Sequence, residues 1–185
     1  MNRTIQLACA VALLGFTTAC GWPYSKPIKT SARAEPEVGY IYGRFKQTYN
    51  DAAPSLTVGL ILQSSSEDDA LRIRLRAGQT LVFAVKPGTY TLKQTGIGES
   101  TYIGRLAELP AKDVRSFSIE PGKAHYIGDF TARTRAVRGY ESWNISWWIH
   151  VGENSYEETT ARMRKRFPAL AGLETVDVSG SEASR

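Results

Sequence analysis

The sequence predicts a mainly β fold, an antiparallel β-sandwich with one C-terminal helix packed on it. Three observations support this prediction: short segments that alternate apolar and polar residues, turn sequences at regular spacing between them, and one segment with helix-end signals near the C-terminus. Many short strands at this spacing are typical of two packed sheets. The 185 residues are enough for one domain and too few for two of ordinary size.

The alternation is clearest in residues 71–76, where three apolar residues alternate with three arginines. This period places apolar side chains on one face of a sheet and polar side chains on the other. A polar loop is predicted at 64–69. The predicted strands are 38–45, 56–62, 71–76, 81–85, a strand around 90–92, 101–106, 115–119, 124–131 and 142–151.

The strand predicted at 142–151 has one apolar face, interpreted as core, and one mixed face. On the mixed face, Trp148 lies among polar residues and suits a sugar-stacking platform. The alternative, which the sequence favours, is that the C-terminal helix covers Trp148 with Met163 or Phe167, because a thin apolar stripe needs a packing partner. The apolar face comprises Trp143, Ile145, Trp147, Ile149 and Val151, and the mixed face Asn144, Ser146, Trp148 and His150.

The helix is predicted over residues 155–167. Asn154 or Ser155 precedes an acidic pair, which is a capping-box pattern, and basic residues close the segment before Pro168. Acidic residues at the start and basic residues at the end both suit the helix dipole.

Two Pro-Gly pairs, Pro87-Gly88 and Pro121-Gly122, separate predicted strands. Glycine after proline supplies the positive φ of a type II turn. The surrounding stretches, 83–90 (FAVKPGTY) and 117–128 (FSIEPGKAHYIG), resemble hairpins of small transthyretin-like or carboxypeptidase-regulatory-like sandwiches in bacterial envelope proteins. Many of those proteins are lipoproteins. The resemblance implies an Ig-like or transthyretin-like sandwich, and the matching motifs carry no catalytic residue.

The N-terminus has the order of an export signal: Arg3, an apolar run over 5–16, and small residues before Cys20. It resembles a lipoprotein signal, with Thr17 where leucine is usual. The resemblance implies a signal peptide over 1–19, lipid on Cys20, and membrane attachment through that lipid. By analogy with enteric lipoproteins, Gly21 favours the outer membrane, with the domain facing the periplasm or the surface. The alternative is an ordinary secretory signal with an incidental cysteine.

The proline-rich stretch 20–37 is interpreted as the lipidated cysteine and a flexible tether. The sandwich domain is expected over 38–178, and 179–185 is expected to be a disordered tail. Cys9 would leave with the signal and Cys20 would carry lipid. We therefore predict that the folded domain has no disulfide, no cysteine-bound metal and no thiol nucleophile. No cofactor and no other metal site are expected either.

The formal net charge of +5 is modest. It suits contact with anionic headgroups or glycans, while nucleic acid is not an expected partner outside the cytoplasm. Arg72, Arg74 and Arg76 form a row on one predicted strand face. They are interpreted either as grips for phosphate or carboxylate groups or as a solvated face. A second group, Arg133, Arg135 and Arg138, is placed in a loop that could join the row in one patch.

His125 and His150 are the only histidines, and the alternating pattern puts His125 and Asp129 on one strand face. The sequence contains no Gly-x-Ser-x-Gly, His-Glu-x-x-His or phosphate-loop motif. The predicted function is that of a lipid-anchored, non-catalytic envelope protein that binds or assembles through its sandwich surface. Its expected ligand is an envelope protein, an anionic lipid or a glycan. The alternatives are an envelope hydrolase that uses His125 or His150, and a structural spacer.

Overall fold

A computed structural model describes residues 22–49, 56–66, 70–98, 102–138, 143–152 and 155–180. Within these ranges strands dominate and one α-helix is present, which confirms the mainly β prediction. The predicted signal peptide, Cys20 and most of the predicted C-terminal tail lie outside the described residues. The elements are β1 (Trp22–Pro23), β2 (Gly39–Tyr49), β3 (Thr57–Ser64), β4 (Ala70–Arg74), β5 (Ala77–Val85), β6 (Gly88–Gly98), β7 (Tyr102–Glu108), β8 (Arg115–Ile119), β9 (Ala124–Arg138), β10 (Trp143–Val151), α1 (Tyr156–Arg166) and β11 (Thr175–Asp177).

The strands form two sheets. The six-stranded sheet has the order β1-β7-β6-β3-β4, with β8 also paired to β6. The five-stranded sheet has the order β10-β9-β2-β5, with β11 also paired to β9. Most neighbours are antiparallel, but β9 runs parallel to both β2 and β11. The five-stranded sheet is therefore mixed, within a sandwich whose sheets are mostly antiparallel, as expected.

The main core fills the space between the sheets. Phe45 stacks on Phe130 with ring centroids 5.9 Å apart, and its edge meets Phe83 at 6.2 Å. Such aromatic pairs stabilise a core beyond the area that they bury. The apolar face of β10 packs against this cluster through Ile145, Trp147, Ile149 and Val151, and Trp147 Nε1 donates a hydrogen bond to Thr95. This part of the sequence interpretation is confirmed for these four residues, whereas the side chain of Trp143 lies outside the described part of the structure.

The helix packs on the outer face of the five-stranded sheet, against β2, β5 and β9. Met163 and Phe167 are buried there against Tyr42 and Tyr126. The hydroxyl of Tyr42 shares a 2.6 Å hydrogen bond with that of Thr160. The prediction that Met163 or Phe167 covers Trp148 is wrong, because the helix lies over the centre of the sheet and leaves 46% of Trp148 exposed.

The segment after Cys20 does not behave as a free tether. Trp22–Pro23 pairs with β7, and the hydroxyl of Tyr24 donates to Thr57 O. Ser25 N–H bonds to the β4 carbonyl of Arg72, and Ile28 N–H bonds to that of Val82 in β5. The segment is extended, as the prolines predict, but it lies along the domain and contacts both sheets.

Candidate functional site

The outer face of the five-stranded sheet divides into two halves. The covered half lies under α1 and includes Tyr40, Tyr42, Val82, Ala124 and Tyr126. The other half, called the bare half below, spans β10 and the adjoining ends of β9 and β2. Among the side chains that the structure describes, the exposed ones of the bare half are Lys46, Arg133, Arg135, Val137, Ser146, Trp148 and His150.

Trp148 lies at the centre of the bare half. Strand register places it directly opposite Arg133, while Arg135 lies opposite Ser146. Directly opposed residues have Cβ atoms about 5 Å apart, and positions two residues along a strand are about 7 Å apart. An exposed indole with two guanidinium groups beside it can therefore contact one ligand of modest size.

A cleft of about 410 Å³ adjoins the bare half where β9 and β10 approach the start of α1. Its lining includes Arg44, Lys46, Asp129, Thr131 and His150. The cleft extends the basic surface towards the middle of the sheet. Together, the cleft and the bare half offer cationic and hydroxyl groups around an aromatic ring.

Asp129 is the acidic residue of this cleft. Its carboxylate accepts hydrogen bonds from Arg44 N–H at 3.2 Å and from the Thr159 hydroxyl at 3.3 Å. Burial raises the pKa of Asp129 above its ordinary value, although these hydrogen bonds and the charge of Arg44 act in the opposite direction. Asp129 thus joins the helix to the sheet while lining the edge of the basic surface.

The arginine row predicted from the sequence lies elsewhere. Arg72 and Arg74 belong to β4 in the six-stranded sheet, on the other layer from Trp148. Both are half-buried: Arg72 contacts Ser25 of the N-terminal segment, and Arg74 donates to Thr57 Oγ1 at 3.4 Å. Arg76 is exposed just beyond β4, and its backbone hydrogen-bonds to β2 on either side of Lys46. Arg72 and Arg74 therefore lie on a different layer from Trp148, whereas Arg76 adjoins the strand that carries Lys46.

The second arginine group is not in a loop. Arg133 and Arg135 are side chains of β9, which continues to Arg138. Because they lie in the five-stranded sheet, they do not join the β4 row in one patch. The alternation of Thr131, Arg133 and Arg135 with alanine and threonine could have predicted this longer strand. The segment is weakly apolar, so the pattern of apolar residues alone predicts a strand that ends at residue 131.

His125 is a structural residue. It is fully buried; its Nε2 accepts from Glu120 N–H at 3.1 Å, and its Nδ1 lies 3.3 Å from Tyr40 O. Burial lowers the pKa of His125, so the ring is neutral and its Nδ1–H donates to the Tyr40 carbonyl.

The shared face expected for His125 and Asp129 is wrong. A bulge at Gly128, with φ of 121°, shifts the alternation between them. Asp129 consequently contacts the helix, whereas His125 bonds to Tyr40 and Glu120. The hydrolase alternative now depends on His150, which is exposed beside the cleft.

No protein-family model matches the chain, and neither a curated protein nor a solved structure is significantly similar to it. The transthyretin-like and lipoprotein resemblances therefore stay predictions. Among the described residues, no helix is long and apolar enough to cross a bilayer. The same residues contain no group of three histidine, cysteine or acidic side chains placed to hold a metal ion.

Proposed function

We propose that the protein is a lipid-anchored, non-catalytic envelope protein that binds anionic glycans through the bare half of its five-stranded sheet. The observation that carries the proposal is the exposed Trp148 opposite Arg133, with Arg135 beside it. This arrangement places an exposed aromatic ring and two cations where one ligand can contact all three.

The chemistry of these groups defines the ligand. An indole face stacks on the apolar face of a sugar ring, and guanidinium groups form charge-assisted hydrogen bonds to phosphate or carboxylate. Lys46 adds a third exposed cation at the margin. A phosphate- or carboxylate-bearing glycan, free or as the headgroup of a lipid, satisfies both requirements.

The N-terminal contacts suit a position close to the membrane. Cys20 precedes Trp22 by two residues, so a lipid on it would be within about 7 Å of chain from β1. Since Trp22–Pro23 pairs with β7, the domain would lie against the bilayer surface and not at the end of a long linker. Anionic headgroups and envelope glycans are abundant there.

The proposal is tested by measuring the binding of the purified, lipidated full chain to lipopolysaccharide and to peptidoglycan fragments, with neutral dextran as the reference glycan. We expect Arg133→Ser/Arg135→Ser to weaken binding about tenfold or more, because two charge-assisted contacts are lost. Trp148→Ala should also weaken it. Lys165→Ser/Arg105→Ser is the matched control, since it removes two exposed cations elsewhere. Equal losses in both double variants would show that net charge, and not this site, governs binding.

The lipid anchor is tested in cells that express the full chain. Metabolic labelling with an alkyne-bearing fatty acid should tag the wild-type chain and not Cys20→Ala, and fractionation should release the variant from membranes. Labelling that persists in Cys20→Ala, or an unlabelled wild-type chain, would disprove the anchor. Failure of the anchor test would not contradict glycan binding, because the two experiments measure different properties.

A further inference from the structure

The outermost strands of the two sheets differ in whether other parts of the chain cover their free edges. On β4, Ser25 N–H bonds to Arg72 O, and Arg72 N–H donates to Ser25 Oγ at 3.0 Å. On β5, Ile28 N–H bonds to Val82 O, and the Arg166 guanidinium donates to Thr80 O at 3.1 Å. Exposed strand edges invite pairing with another chain, and here both are occupied by other parts of the protein.

The edge of β10 has no such cover from the described residues. Trp143–Val151 pairs with β9 on one side, and its other side receives no strand in the part of the chain that the structure describes. The strand is nine residues long, contains no proline and carries no lysine, arginine or acidic residue. Prolines and charged side chains are features that natural proteins use to block pairing at a strand edge, and β10 has neither. The edge of β10 is therefore open to strand addition.

We propose that a second copy of this chain occupies this edge, with β10 pairing antiparallel to β10 of the other copy about Trp147. The polarity of the strand is almost symmetric about that residue. In this register Ile145 faces Ile149 and Ser146 faces Trp148, so apolar positions meet at the core face and the more polar positions meet at the outer face. A two-fold axis satisfies the backbone groups of both edges at once.

Charge favours the same occupant. Because β10 carries no ionised side chain, the pairing opposes no like charges across the new interface. The nearest arginines lie one strand further in, on β9, so those of the two copies are about 14 Å apart across three strand spacings. That distance exceeds the screening length of about 8 Å at physiological salt, so their repulsion is weak.

The pairing would join the two bare halves into one surface. Trp148 of one copy would lie diagonal to Trp148 of the other, about 7–8 Å away, with Arg133 and Arg135 on either flank. The inference depends on the uncovered edge and not on glycan binding. A single copy could bind glycan whether or not it dimerises.

Charge reversal at this register tests the proposal on the purified full chain, with sedimentation velocity as the readout. Ser146→Lys/Trp148→Lys places lysines opposite each other across the axis, and Ser146→Lys/Trp148→Glu places lysine opposite glutamate. We expect a wild-type dimer, a dissociation constant raised about tenfold or more in the first variant, and recovery in the second. Both positions are exposed, so folding should be unaffected, which circular dichroism checks.

Cross-linking provides the geometric test. In cells that express two differently tagged copies, Ser146→Cys/Trp148→Cys should form a disulfide between them, because directly opposed Cα atoms, about 4.5–5.5 Å apart, fall within the Cα range of disulfides. Arg133→Cys/Arg135→Cys, one strand in from the edge, is the matched control and should not. A monomeric wild type, a dimer insensitive to both charge variants, or equal cross-linking of the two cysteine pairs would overturn the proposal.

Discussion

The covered and bare halves of the outer face of the five-stranded sheet differ in how far their aromatic side chains are buried. On the covered half, Tyr42 and Tyr126 are buried beneath α1, with ring centroids 5.7 Å apart. On the bare half, Trp148 is 46% exposed although it belongs to the same sheet. One short helix with a narrow apolar stripe covers only part of a sheet, so the remaining part is available for binding.

The sequences of the strands account for this difference. In β2 the run Tyr40-Ile41-Tyr42 is apolar without a break, as expected for a strand buried on both faces. In β10 polar residues alternate with apolar ones, and only Trp148 interrupts the polar face. β10 offers the helix a single apolar side chain, so the helix packs instead on β2, β5 and β9, whose outer faces together carry several.

The largest effect is expected from the helix contact. Met163 of α1 is fully buried against the sheet, so Met163→Ala should lower the free energy of unfolding by about 2–4 kcal/mol through lost packing and a cavity. Trp148→Ala removes a larger side chain from the bare half, yet should cost less than about 1 kcal/mol because much of it is exposed. Urea unfolding of both variants measures the contrast. Equal losses would mean that Trp148 is also a packing residue.

Most of the fold follows from local patterns. The strands around the Pro-Gly turns, the apolar face of β10 and the extent of the helix were all predictable, because alternation and turn chemistry act over a few residues. The three-residue β11 and the contacts of the N-terminal segment were not. Tyr24 packs where Gly59 leaves room, with its ring 2.7 Å from where a Cβ would be, and no local pattern reveals that approach.

The second-largest predicted effect comes from removing a hydrogen bond between two hydroxyl groups of the covered half. Tyr42→Phe removes the 2.6 Å hydrogen bond to Thr160 and should cost about 1 kcal/mol at neutral pH. Burial also raises the pKa of Tyr42, so the folded state keeps the phenol neutral. The stability from this shift is full below about pH 10, the ordinary pKa of tyrosine, and is lost as pH rises above it.

Urea titrations from neutral to alkaline pH measure this effect. Tyr42→Phe should lose less stability than the wild type as pH rises. Thr160→Val should be non-additive with Tyr42→Phe, because both remove the same bond. Curves that stay parallel across the alkaline range would show that Tyr42 is not the group responsible.

The site was less predictable than the fold, for one physical reason. Which strand faces share a surface depends on strand order, and sequence spacing does not encode it. Arg72 and Trp148 both satisfied the local pattern of an exposed strand face, but their strands belong to different sheets. The bulge at Gly128 likewise separates His125 from Asp129, although simple alternation unites them.

The smallest predicted effect is the difference in stability between variants of the two histidines. His125 is buried and its pKa is lowered by burial, so the folded state resists protonation while the unfolded chain accepts a proton below about pH 6.5. Wild-type stability should therefore fall as pH drops through that value and approach a plateau below the folded pKa. The raised pKa of Asp129 acts with the opposite sign, so the comparison is made in an Asp129→Asn background.

In that background, His125→Gln should lower stability at neutral pH by about 1 kcal/mol through its lost hydrogen bonds, and it should flatten the acid-side slope. His150→Gln should leave stability at neutral pH unchanged, because its side chain is exposed on the bare half. Urea midpoints measure both variants at neutral pH, and His125→Gln across the mildly acidic range as well. If His150→Gln lowered neutral-pH stability as much as His125→Gln, the bare half would contribute to stability in the same way as the covered half.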